Sequence, residues 1–165
     1  MIVLGIDPGT IKTGYALIQV TDSGMKIIDY GCIRPPVKDL LSDRYFILFQ
    51  SIGELIDRHH PALVVLETQY VNKNVQSAIK LGMARGVAMI AAKQRGCQIF
   101  EFSPTQAKKA VVGNGSASKE QVQGMLKMLL QLQTLPQEDA ADALALAVCY
   151  IHKEFRVCTH SLRGF

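Results

Sequence analysis

Four carboxylates in this sequence stand where ordinary surface acids do not. Asp7 follows the apolar run Ile2-Val3-Leu4-Gly5-Ile6 and precedes Pro8-Gly9-Thr10. Glu67 ends a second apolar run, Leu63 to Leu66. Asp139 and Asp142 lie three residues apart, so on a helix they share a face. Asp142 is set among Ala140, Ala141, Ala143, Leu144, Ala145, Leu146 and Ala147, surroundings too apolar for a solvated acid. A carboxylate in such a place costs free energy unless it is paired or binds a cation. The small alanines let their helix lie close to a sheet, which brings its acids toward the two at the strand ends.

Convergent carboxylates without His or Cys partners suit hard cations, Mg²⁺ or Mn²⁺. Two such ions about 3.5–4 Å apart can stabilise the attacking and leaving oxygens of a phosphodiester. Each acid also has a plainer use. Asp7 before Pro-Gly suits a turn, Glu67 could meet solvent at a strand end, and Asp139 could complement a helix dipole as Glu138 does. Asp142, further into the helix, resists such a reading.

The elements that must position these acids follow from hydrophobic spacing. Ile2 to Ile6 has the continuous apolar character of a buried strand. Thr13 to Val20 and Met25 to Ile33 continue as strands around the turn Asp22-Ser23-Gly24. Leu41, Tyr45, Leu48, Ile52, Leu55 and Ile56 trace a helical face that stops at His59-His60-Pro61, where the histidines read as helix-end residues rather than ligands. Leu63 to Leu66 is a strand, Asn74 to Arg95 a long helix, and Cys97 to Phe102 a strand. Ser103-Pro104 opens a short helix that stops before Gly113. Ser118 caps another, to about Gln131, with Glu120 and Gln121 near the capping-box position. A last helix runs from about Glu138 to Lys153. The order βββ-α-β-α-β-α-α-α predicts an α/β fold, a mixed five-stranded sheet with helices on both faces. A single domain over 1–153 is expected, and a loose C-terminal tail over 154–165.

Composition sets the limits. The 165 residues hold 18 Lys and Arg against 14 Asp and Glu, a net charge of +4 that permits a polyanionic partner without requiring one. The four cysteines form no close pair, which argues against a zinc ribbon or redox dithiol. The opening apolar run is too short for an export signal, and no run approaches the roughly 20 residues of a membrane span. A cytoplasmic protein with reduced thiols is the expectation.

Four ordered blocks resemble the RuvC family of Holliday-junction resolvases. Gly5-Ile6-Asp7-Pro8-Gly9-Thr10 with Thr13-Gly14-Tyr15 is similar to the family's opening strand and turn. Lys73-Asn74, Ser77-Ala78, Lys80-Leu81-Gly82 and Ala84-Arg85-Gly86-Val87 resemble its long helix. Val111-Val112-Gly113, Gly115-Ser116-Ala117 and Lys119 resemble its basic loop, and Asp139-Ala140-Ala141-Asp142-Ala143-Leu144-Ala145 its final acidic helix. The resemblance spans Met1 to Lys153. It implies a ribonuclease-H-like fold, Asp7, Glu67, Asp139 and Asp142 as catalytic and metal-binding acids, and Mg²⁺ with two ions per site. It further implies a four-way DNA junction as substrate, a homodimer, and work beside the RuvA–RuvB branch-migration complex. Lys108 and Lys119 then lie at the rim of the site, on the scissile phosphate, while Lys73, Lys80 and Arg85 offer cations to the DNA backbone. After Glu67 the family usually reads x-Val-Phe, whereas this chain has Thr68-Gln69-Tyr70. Tyr70 keeps an aromatic face for stacking on an unpaired base.

Three other readings remain open at the level of sequence. The Gly5-Ile6-Asp7-x-Gly9-Thr10 block also resembles the phosphate loop of actin- and hexokinase-type ATPases, which need a second domain. A junction-binding protein without catalysis would have little use for four acids that repel phosphate. A nuclease for RNA–DNA hybrids would share the same fold.

Overall fold

The computed structural model describes residues 1–68 and 74–155. Strands β1 (Ile2–Asp7), β2 (Thr13–Thr21) and β3 (Gly24–Ile33) form an antiparallel meander. Strands β4 (Leu63–Glu67) and β5 (Gln98–Phe102) add in parallel on the other side of β1, giving the order β3-β2-β1-β4-β5. The mixed five-stranded sheet expected from the sequence is therefore present.

The central strands explain their own apolar runs. On β1, Val3 belongs to the core on one face, while Leu4 and Ile6 belong to the core on the other. On β4, Leu63 and Val65 face one way and Val64 and Leu66 the opposite way. Strands buried on both faces have no polar side to show, so alternation disappears from the sequence.

Helices α1 (Leu41–His59) and α2 (Val75–Gln94) cover one face. α1 buries Leu48, Ile52, Leu55 and Ile56, and stops at His60, whose φ of 47° lies in the left-handed region just before Pro61. The other face carries α3 (Pro104–Val112), α4 (Lys119–Leu129) and α5 (Glu138–Phe155). Ser103 with Gln106, and Ser118 with Gln121, close two capping boxes, so Gln121 rather than Glu120 is the reciprocal partner. α5 runs two residues beyond the expected end at Lys153, whose ammonium sits over the Phe102 ring at 5.3 Å. The expected tail from Arg156 onward lies outside the described residues, as do Gln69, Tyr70 and Lys73.

α5 is the element most closely seated on the sheet. A Cβ on Gly5 would collide with the Ala143 carbonyl oxygen and stand 3.2 Å from the Ala147 Cβ. A Cβ on Gly14 would collide with the Asp139 carbonyl. Gly14 pairs directly with Asp7 across the β1–β2 ladder. The two glycines thus let the helix backbone rest on the strands beside the first acid, and Ala140, Ala143 and Ala147 keep the helix side of the contact thin.

This seating predicts opposite effects for two glycine substitutions. Gly14→Ala forces α5 off the sheet and should lower unfolding stability by about 1–3 kcal/mol. Gly124→Ala, in α4 where an added Cβ meets nothing within 4 Å, should raise it by up to about 1 kcal/mol. Urea denaturation of the two variants beside wild type measures both; equal effects would contradict the contact.

Candidate active site

Strand periodicity and register bring the first two acids together. Asp7 is four residues beyond Val3 and Glu67 four beyond Leu63, so each points to the face that carries α5. β1 and β4 run parallel with Ile6 opposite Leu66, which sets Asp7 and Glu67 at the same edge, at the carboxyl ends of adjacent strands. Ligands of open α/β sheets gather at that edge. Asp139 lies in the first turn of α5 and Asp142 one turn further in, on the same side of the helix.

The electrostatics record how close these groups are. Burial first, then the charges of Glu67, Asp142 and Asp139, push the Asp7 carboxyl up to about 8. Burial followed by the charge of Asp142 lifts Glu67 to about 7. Asp142 is also raised, chiefly by burial, with Glu138 and Asp139 adding to the rise while Lys119 and Lys108 oppose it. Carboxyls held at such values are short of positive charge.

The surrounding cations divide into three roles. Lys119 acts on Asp7 and Asp142 through space and is ion-paired with Glu138. Lys108 acts on Glu67 and Asp142, and its Nζ donates to the Ala117 carbonyl at 3.1 Å, tying α3 to the loop that leads into α4. Both therefore act on acids of the strand ends and of α5. Lys12, which sequence reasoning passed over, is ion-paired with Asp139. Arg85 is engaged within the fold. Its Nε donates to the Glu67 carbonyl at 3.2 Å and its guanidinium meets Glu101 at 2.6 Å, so it straps α2 to the ends of β4 and β5. Arg44, also missed, donates from α1 to the Thr10 carbonyl and anchors the turn after Asp7. Within that turn the Gly9 N–H donates to Thr13 Oγ1 at 3.3 Å.

Among the described residues no three His, Cys, Asp or Glu side chains stand together as a ready-made ligand cage. The donors nonetheless fit a hard cation. The acids that act on one another are all carboxylates, oxygen donors of the kind Mg²⁺ and Mn²⁺ take. Asp139 Oδ2 is shut off from solvent and makes no directed hydrogen bond, and the group beside it is the Lys12 ammonium, a positive charge already standing where one is needed.

Comparison with known proteins bears on the family and the fold. The family model described as crossover junction endodeoxyribonuclease RuvC matches residues 3–150. A crossover junction endodeoxyribonuclease RuvC from Protochlamydia amoebophila is 59% identical over 151 residues, 91% of this chain and 90% of that protein. The solved structure of Thermus thermophilus RuvC superposes with a TM-score of 0.84 at 28% identity, covering 94% of this chain and 97% of that one. The T. thermophilus RuvC in complex with a Holliday junction substrate gives the same TM-score at 25% identity, over 94% and 96% of the two chains. The fold is thus the ribonuclease-H-like one that the resemblance implied.

The raised carboxyls carry a pH signature. Asp7 holds its proton to about pH 8 in the fold but loses it near pH 4 when unfolded, so the folded state binds more protons across that interval. Stability from this group is full below about pH 4 and is lost as pH rises through about 8. Without divalent ions, melting temperature should fall from pH 5 to pH 8, and Asp7→Asn should flatten the fall. A wild-type curve as flat as the variant's would contradict the crowding.

Proposed function

The chain belongs to the RuvC family of crossover junction endodeoxyribonucleases, nucleases that hydrolyse DNA at Holliday junctions, and we propose that Asp7, Glu67, Asp139 and Asp142 are its catalytic and metal-holding groups. The observation that carries this reading is the placement of Asp7 and Glu67 at the carboxyl ends of adjacent parallel strands, where burial raises both carboxyls and the charge of Asp142 raises them further. Two Mg²⁺ ions per site, with Mn²⁺ able to substitute, supply Lewis-acid stabilisation of the attacking and leaving oxygens when bound to these carboxylates. The residues do the positioning. Strand-end acids Asp7 and Glu67 give a fixed base, and α5 brings Asp139 and Asp142 against it. Lys108 and Lys119 offset the charge of the scissile phosphate at the rim. Tyr70 stacks on a base near the crossover and Lys73 meets the backbone; both assignments rest on the sequence.

Paired, symmetric cuts call for a homodimer, since a two-fold pair of sites matches the symmetry of a junction. We assign the dimer face to the outer side of α2. Val75, Ile79, Met83 and Ile90 recur there at helical spacing and are exposed. Of the small residues of α2, Ala84, Ala88, Ala91 and Ala92 serve inside the subunit, buried in the core on that face of the sheet. Gly86 differs: an added Cβ would meet nothing within 4 Å, so the fold of one chain does not require glycine there, whereas a second helix could lie close over it. We propose likewise that it acts in the cytoplasm beside the RuvA–RuvB branch-migration complex, a reading supported by family membership.

Incubation with a mobile four-way junction and a matched linear duplex, in Mg²⁺ or EDTA, tests the activity. Paired nicks confined to the junction are expected, abolished by EDTA. In Asp7→Asn and Asp142→Asn they should fall below about a hundredth of wild type. Tight junction binding without cleavage under any divalent ion would leave a binding protein only. For the dimer, Ile79→Glu with Ile90→Glu should sediment as a monomer where wild type sediments as a dimer.

A further inference from the structure

The Lys12–Asp139 pair is a feature that the catalytic reading does not use. Lys12 lies in the turn between β1 and β2, and that turn is built to a fixed shape. A Cβ on Gly9 would collide with the Lys12 carbonyl oxygen, Thr13 Oγ1 accepts from the Gly9 N–H, and Arg44 holds the Thr10 carbonyl from α1. The consequence is a lysine stem that starts just past Asp7 and returns its ammonium to the first turn of α5. Asp139 is the more enclosed partner, with its side chain 19% exposed against 44% for that of Lys12. The carboxylate cannot leave, while the lysine has solvent beside it.

Resting on the metal-site reading above, we propose that Lys12 is the resident counter-cation of the acid centre. Its ammonium neutralises Asp139 while no divalent ion is bound and must be displaced into solvent before Asp139 can serve as a ligand. Lys119 acts on Asp7 and Asp142 through space, but its direct ion pair is with Glu138, outside the four acids, so it does not occupy Asp139. The structure therefore assigns to Lys12 control over how much divalent ion the site needs. With the ammonium present, ion binding is a competition; with it removed, Asp139 is free to be ligated.

Calorimetric titration of the full chain with Mn²⁺ alone, without DNA, reads this directly. Lys12→Gln should bind Mn²⁺ about threefold to tenfold more tightly than wild type, the scale of losing one partly exposed competing ion pair. Lys12→Arg, which keeps the charge, should remain near wild type. Lys26→Gln removes one charge at a distance and should also match wild type, separating local competition from general electrostatics. Unchanged or weaker Mn²⁺ binding in Lys12→Gln, beside a wild type that binds and an Asp7→Asn that does not, overturns the inference alone. If wild type and Asp7→Asn bind Mn²⁺ equally, or neither binds, the metal site itself is wrong and this inference falls with it.

Discussion

The contact between the α5 backbone and the bare backbone of Gly5 and Gly14 is the constraint from which the site follows. An alanine at either position would hold the helix away by the width of a methyl group, against carbonyls of Asp139 and Ala143 that have no freedom to give way. Because Gly14 is paired with Asp7, the helix turn that bears Asp139 comes down beside the first catalytic candidate. Strand register then delivers Glu67 from the neighbouring parallel strand. The acids share one edge of the sheet because backbone touches backbone, and the alanine-rich face of α5 permits it.

That proximity has an energetic cost which the fold meets elsewhere. Burying like charges together is unfavourable, and the raised carboxyls of Asp7, Glu67 and Asp142 express it. The two buried cores on either face of the sheet hold the arrangement against its own repulsion. Cations at the periphery lessen the strain without removing it: Lys108 and Lys119 act through space, and Lys12 makes a direct pair with Asp139. A site in this condition is prepared for added positive charge, which is what a phosphodiester-hydrolysing centre of this family has to recruit.

Much of this was visible in the sequence for identifiable reasons. β1 and β4 are uninterrupted apolar runs because both faces are covered, and the acids at their ends stood out against that background. Ser103 and Ser118 announced their helices through side-chain caps that depend on neighbours three residues away. Asp142 was conspicuous because its neighbours are small and apolar. What could not be seen depends on tertiary distance. A lysine in a turn carries no sign that it will fold back on Asp139, and Arg85 resembles any surface cation until α2 is laid along the ends of β4 and β5. The alanines of α2 face the sheet of their own chain, which their type alone does not reveal, because small residues serve close packing equally well within a subunit and between subunits.

On the proposed reading, α5 and the two strand ends form a single cation-binding centre. Anomalous diffraction from crystals soaked in Mn²⁺ addresses it most directly. A Mn²⁺ peak is expected between β1 and α5, in contact with Asp7 and with at least one of Glu67, Asp139 and Asp142. Mn²⁺ found only at outlying acids such as Asp22 or Asp43, with no peak between β1 and α5, would contradict it.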